Sequence, residues 1–285
     1  HVRRGRRPRG SPVSRIEIKT AEQLVAMRRA GLVVAEGLAA MLAAADVGVT
    51  TLELDAIGRE VLRRNGATSS FLGYGGDYGA PFPGVACISV NEELVHGIPR
   101  DRALADGDIV SIDFGAIVDG WHGDAARTII VGDAEPADVA LAQATREAMW
   151  AGALAMRAGG RVGDVSKAID GYVKRLPARY GTLREYTGHG IGSEMHMEPD
   201  VPNWYRPRPT ARLEVGMALA IEPMLTRGTH HTLELDDEWT VVSRDGARGS
   251  HWENTVAITP RGIWVLTEPD GGESRLGDRF GPLAD

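Results

Sequence analysis

Apolar runs closed off by capping and turn residues divide this 285-residue chain into two successive helix–helix–strand units. Thr20 and Gln23, three residues apart, have the reciprocal hydrogen-bonding chemistry of a capping box and predict a helix through about Ala45. Thr50 with Glu53 opens a second helix, which stops at Asn65-Gly66. From Thr68 to Gly84 the periodicity gives way to glycine and aromatics (Tyr74, Tyr78, Phe82) with Pro81 and Pro83, a composition suited to a loop lining a pocket. A β-rich stretch follows from Val85 to Gly132. After it come a helix entered at Pro136 and ended at Gly159-Gly160, another from about Asp164 to Leu176, and further strands.

The pattern repeats internally. LADGDIVSID (104 to 113) aligns with LEVGMALAIE (213 to 222) at an offset of 109, pairing Leu104 with Leu213, Gly107 with Gly216 and Ile112 with Ile221. Gly48, Ala56, Ile57 and Val61 meet Gly160, Ala168, Ile169 and Val173 at an offset of 112. Both strands end in an acid. The expectation is an α+β fold with a pseudo-twofold axis, an antiparallel sheet covered by helices, and a site between the halves.

In IVSIDFGAIVDGWHGDAARTIIVG (109 to 132), Asp119-Gly120 tolerates the positive φ values of a type I′ turn and predicts a two-residue hairpin. Val118 then faces Trp121, Gly115 faces Asp124 and Asp113 faces Ala126. This register puts Asp113 and Asp124 on one face as diagonal neighbours, roughly 7–8 Å apart at the backbone. Beside Ile112, Ile117 and Ile130, with no basic residue alternating among them, two acids are costly to bury unless a cation neutralises them. An exposed hairpin with solvated aspartates is the alternative. Three further residues stand in suggestive places: His189 between glycines in GHGIG, Glu222 ending an apolar strand before Pro223, and Glu253 just before an apolar strand in HWENTVAIT. Singly, each reads as a structural or edge residue. Together with the two aspartates they bring four carboxylates and an imidazole to one pocket, a set that needs cations to offset its repulsion and points to a dinuclear metal site.

Composition narrows the setting. No run of about 18 uncharged apolar residues occurs, so no membrane span is expected, and no signal-peptide core follows the N-terminal arginines. One cysteine, Cys87, excludes an intramolecular disulfide framework and a thiolate zinc cluster, and is consistent with reducing cytosol. Net charge is −7, yet residues 1 to 15 carry six arginines and no acid. That arm is either a solvated tail or a contact for nucleic acid or the ribosome surface.

The ordered set of Asp113, Asp124, His189, Glu222 and Glu253, with VNEELVHGIP (90 to 99), SIDFGAIVDGWHGDAART (111 to 128), GHGIGSEMHMEP (188 to 199), AIEPM (220 to 224) and WTVV (239 to 242), resembles the type I methionine aminopeptidases of the pita-bread fold over about Thr20 to Pro260. The resemblance implies that Asp124 and Glu253 bridge two divalent ions (Co, Mn, Fe or Zn), with Asp113 completing one shell and His189 and Glu222 the other. It implies removal of N-terminal methionine from nascent chains and peptides by a hydroxide shared between the ions. Glu222 would shuttle the proton, His196 would bond the carbonyl oxygen, and His96 would contact substrate near the scissile bond. Phe71, Tyr74, Cys87, Met195 and Trp239 match positions lining the family's methionine pocket. The expected organisation is a basic tail (1–19), one catalytic domain (20–267) and a C-terminal tail (268–285), in a cytoplasmic monomer that binds neither DNA nor membrane and could touch the ribosome through its arginines.

Departures from the family pattern cluster around the pocket. The segment GGDYGAPFPGVA (75 to 86) is longer than usual, Phe71 stands where cysteine is frequent, Met195 where phenylalanine is usual, and HWENT replaces glutamine–aromatic–Glu–His–Thr. Xaa-Pro peptidases share the ligands but carry a large N-terminal domain, and type II methionine aminopeptidases insert a helical subdomain where only 26 positions separate His196 from Glu222 here. A non-catalytic binding paralogue would normally lose ligands, and none is lost.

Overall fold

A computed structural model describes residues 16–77 and 79–283; the arginine-rich stretch 1–15, Tyr78 and the last two residues lie outside the described part. Helix α1 (Ala21–Ala44) and α2 (Thr51–Arg64) begin at the two anticipated capping boxes. Gln23 N–H donates to Thr20 Oγ1 and Thr20 N–H to Gln23 Oε1, and Thr50 and Glu53 repeat the exchange. The helices lie on a sheet whose central strand, Ile109–Val118, is flanked by Ala86–Val90 and Trp121–Ile130. Phe114 is fully buried between sheet and helices, and a Cβ at Gly37 would come within 2.3 Å of its ring, so glycine is what lets α1 approach the sheet.

The second half repeats this plan. Helices α3 (Pro136–Ala155) and α4 (Val162–Lys174) cover a five-stranded sheet ordered Gly262–Val265, Asn254–Thr259, Ala218–Ile221, Gly188–Gly190, Met197–Val201. The offset of 109 appears bond by bond, while the helix offset is 111 rather than 112, since Gly48 matches Gly159 and the N-cap Thr50 matches Arg161. Gly48 N–H donates to Leu104 O and Gly159 N–H to Leu213 O, both 2.8 Å; Gly107 N–H donates to Val131 O at 2.7 Å and Gly216 N–H to Ile258 O at 2.8 Å. Gly107 and Gly216 share positive φ, 81° and 91°. This pairing also explains why α3 ends at Ala155, short of Gly159-Gly160: the chain extends to make the same bridge to Leu213 that Gly48 makes to Leu104. Where the halves meet, Ala126 and Glu253 exchange reciprocal backbone hydrogen bonds of 3.3 and 3.0 Å. Asp113 pairs with Ala126, and Asn254 with Ile221, so Ala126 and Glu253 are equivalent positions and the pseudo-twofold axis passes between them.

The 20–267 boundaries need widening. Lys19 is buried with its N–H bonded to Gly216 O, and the stretch after 267 packs onto the second half through buried Leu276 and a bridge between Phe280 and Ile263. Apolar Leu276 and Phe280 are what turn an expected tail into a covering layer. Among the described residues, no helix is long and apolar enough to cross a membrane.

Candidate metal centre

The hairpin register is the anticipated one, with Val118 opposite Trp121, Gly115 opposite Asp124 and Asp113 opposite Ala126. Asp119 (φ 51°) and Gly120 (φ 80°) form the turn. The diagonal aspartates share a side-chain hydrogen bond. Thr255 fixes Asp124 from the other half, its hydroxyl accepting from Asp124 N–H at 3.0 Å and donating to Asp124 O at 2.8 Å. Glu253 arrives through the Ala126 backbone pair, and Glu222 through the end of Ala218–Ile221. His189 projects from Gly188–Gly190. Its Nδ1 lies 2.9 Å from Gly190 O, a carbonyl that can only accept, so Nδ1 carries a proton and Nε2 is left facing Glu222 Oε1 at 3.2 Å.

All five predicted ligands are buried or nearly so, and oxygens of three of them, Asp113 Oδ1, Asp124 Oδ1 and Glu253 Oε1, have no hydrogen-bond partner. Ligand atoms of Asp124, His189 and Glu253 lie within 4.8 Å of one another, as do those of Glu222, His251 and Glu253. The electrostatics carry the same imprint. Burial, then the neighbouring Asp124 and Glu222 charges, hold Asp113 well above the carboxylate range; burial, then Asp124 and Glu222, do the same to Glu253. Burial lifts Asp124 to about 7. Burial also raises Glu222, but the close His189 imidazole and then the neighbouring His251 imidazole outweigh it and bring the group to about 2. Four acids that cannot share charge, with orphaned oxygens converging, are what a divalent cation would satisfy.

The cluster floors a cavity of about 310 Å³. Its apolar wall is Phe71, Phe82, Cys87 and Met195, closed by Trp239 and Ile98. Tyr74 lines it too but is 41% exposed, and its hydroxyl stands 2.7 Å from His196 Nδ1. His196 lies at the mouth with its ring centroid 4.2 Å from that of His189. Loss of solvent at its inner edge and the His189 charge hold it below the ordinary imidazole range. His96, in left-handed backbone at φ 58°, sits edge-on to Tyr186 and Trp239, and burial lowers it to about 4. The structure therefore brings every predicted site residue to one pocket.

Two contributors escaped the sequence reading. The sequence alone sets Phe82 only in the loop. The structure returns that loop on itself, Gly73 N–H to Phe82 O and Phe82 N–H to Tyr74 O, and seats the ring in the wall against Trp239, whose Nε1–H donates to Ala80 O at 2.8 Å. The second is His251, 2% exposed beside Glu222 and Glu253; its replacement of glutamine in HWENT was the visible signal. Asn254, the other change there, is fully buried and supports the site from behind. Its Oδ1 accepts from Arg127 Nη2 at 2.8 Å and Thr267 Oγ1 at 2.7 Å, while Arg127 also donates to Glu253 O.

Comparison with known proteins agrees with this geometry. The family model described as Metallopeptidase family M24 matches residues 25–260. Methionine aminopeptidase 1 of Mycobacterium tuberculosis is 50% identical over 254 residues, 87% of this chain and 94% of the relative. Methionine aminopeptidase 1 of Bacillus subtilis is 43% identical over 87% of this chain and 98% of its own. The crystal structure of methionine aminopeptidase from Thermotoga maritima superposes with a TM-score of 0.85 at 36% identity, covering 89% of this chain and 100% of that one. With its two related halves and an acid-lined pocket between them, this chain belongs to metallopeptidase family M24 and has its pita-bread fold.

Proposed function

We propose that this protein is a methionyl aminopeptidase that removes the initiator methionine from nascent proteins and peptides, with Asp113, Asp124, His189, Glu222 and Glu253 holding two divalent cations. One juxtaposition carries this reading: buried, partnerless carboxylate oxygens lie at the floor of a cavity whose remaining wall is apolar and sulfur-bearing. When bound, Co, Mn, Fe or Zn ions would supply Lewis acidity to the scissile carbonyl and bring the pKa of a water toward neutrality.

The chain's own residues do the rest. Phe71, Phe82, Cys87, Met195 and Trp239 take the methionine side chain, leaving its carbonyl over the acids. Glu222, kept ionised by its imidazole neighbours, accepts a proton at its carboxylate and passes it to the leaving amine. His196, held by Tyr74, donates to the carbonyl oxygen as charge develops, and His96 contacts the substrate beside the scissile bond. The proposal extends to a cytoplasmic monomer whose basic residues 1–15 touch the ribosome. Protein stripped by chelator and reloaded with Mn or Co should release free methionine from Met-Ala peptides and leave Leu-Ala peptides largely intact. Metal-loaded protein that releases no methionine overturns the proposal.

A further inference from the structure

One buried imidazole beside the acids is neither among the five ligands nor among the substrate-contacting residues assigned above. His251 ends the strand Gly249–His251, with its N–H donating to Ser111 Oγ and Thr128 Oγ1, both 3.1 Å, and its carbonyl accepting from Thr128 Oγ1 at 2.7 Å. This clamp aims the ring at the acids. Nε2 stands 3.4 Å from Glu222 Oε2 and 3.8 Å from Glu253 Oε2, is buried, and has no hydrogen-bond partner. We propose that His251 is a sixth ligand of the metal centre, a second imidazole binding the same cation as Glu222 and Glu253. The inference rests on the metallopeptidase reading above.

Distance decides between a ligand and a hydrogen-bonding neighbour. A histidine that merely steadied Glu222 would put Nε2 at about 2.7–3.2 Å from one oxygen with good alignment. Nitrogen and oxygen ligands about 2.0–2.2 Å from a common ion are separated by at most about 4.4 Å and need no alignment with each other. His251 satisfies the second description, set between two oxygens and directed at neither. His189 approaches Oε1 of Glu222 and His251 approaches Oε2, so the two imidazoles bracket one carboxylate. A second imidazole also shifts the donor set toward Fe, Co or Zn relative to Mn, because nitrogen donors suit those ions better.

The test uses full-length protein labelled with 15N-histidine, stripped and titrated with Mn by calorimetry, then examined by electron spin-echo and double-resonance spectroscopy. Wild type should take up two equivalents and show hyperfine couplings to two imidazole nitrogens, an observation that needs no variant to fold. His251→Gln keeps an N–H donor but removes the imidazole; it should retain one coupling and weaken the second equivalent by at least about tenfold. A single coupling in wild type, or unchanged couplings and affinity in His251→Gln, overturns the assignment. Two couplings in a metal-loaded wild type that releases no methionine support this inference and overturn the reaction instead.

Discussion

Replacing Asp124 with Asn should stabilise the metal-free protein while abolishing most of the stability that cations confer. The reason is the cost of charge at a site built for a cation. Burial raises the Asp124 carboxyl from 3.8 to about 7, so its stabilising contribution is fully present below pH 4 and is lost as pH rises through about 7. At 1.36 kcal/mol per unit, the shift costs the folded state about 4 kcal/mol by pH 8 and less than half of that at pH 5, where the folded group stays protonated while the unfolded one ionises. These are upper bounds, because Asp113 and Glu253 share the titration. Asn carries no charge, and its carbonyl still accepts a hydrogen bond from protonated Asp113. In chelator, urea unfolding should therefore find D124N more stable than wild type at pH 8, with the gap narrowing by about 2 kcal/mol at pH 5. Saturating Mn should reverse the order, since wild type gains about 2.7 kcal/mol per ion at one hundred times Kd and the variant gains less. A metal-free D124N that is less stable than wild type at pH 8, or a gap that does not narrow at pH 5, would refute the reasoning.

Three other substitutions and one labelling experiment probe the pocket. His96→Ala and His196→Ala should each lower kcat with metal content unchanged, as read by steady-state kinetics beside elemental analysis; because burial holds His96 at about 4, its titration should leave no inflection in kcat/KM above pH 5. Phe82→Ala removes a ring that is 2% exposed and edge-on to Phe71 and Trp239. It should cost about 3 kcal/mol in urea unfolding and relax side-chain selectivity in a peptide panel varied at the first residue. Cys87 is buried with its thiol pushed well up by burial and then by the charges of Asp113, Asp124 and Glu253, so iodoacetamide at pH 8 should label it only as fast as the protein unfolds, followed by mass spectrometry.

Local chemistry was the legible part of the fold. Thr20–Gln23, Thr50–Glu53 and Asp119-Gly120 each encode a hydrogen-bond pattern within a few residues, and a period-2 register carries such a turn directly into the convergence of Asp113 and Asp124. The end of α3 was less legible because the competing interaction, Gly159 with Leu213, is far away in sequence. The C-terminal segment failed for the same reason: Leu276 and Phe280 look like isolated apolar residues until the second half presents a surface to cover. Phe82 and His251 divide along this line too. A glycine–proline loop announces that it will line something, but where it folds back depends on Trp239, 157 positions away. His251 is set by Ser111 and Thr128, contacts no local pattern can anticipate.

Symmetry explains how five distant residues reach one point, and it also shows where the chemistry had to break it. Asp113, midway along Ile109–Val118, and Glu222, just past the end of Ala218–Ile221, are equivalent acids, one from each half, facing each other across the pseudo-twofold axis. Their ladder partners are equivalent as well, yet one is Ala126, fully buried, and the other is Glu253. With reciprocal backbone bonds holding these two residues together, a glutamate in both places would crowd a fifth acid onto the axis. Asp124 instead comes from two residues before Ala126 on the same strand, and His189 has no counterpart ligand in the first half. The backbone is thus nearly twofold while the donor set is lopsided, richer in imidazole on the Glu222 side, where His189 and His251 both stand, and wholly carboxylate around Asp113. Two cations in such a site would meet unlike donors. Glu222, lying where the imidazoles are, is the acid held low while burial and mutual repulsion push Asp113, Asp124 and Glu253 up, so the charge of the metal-free centre is as lopsided as its donors.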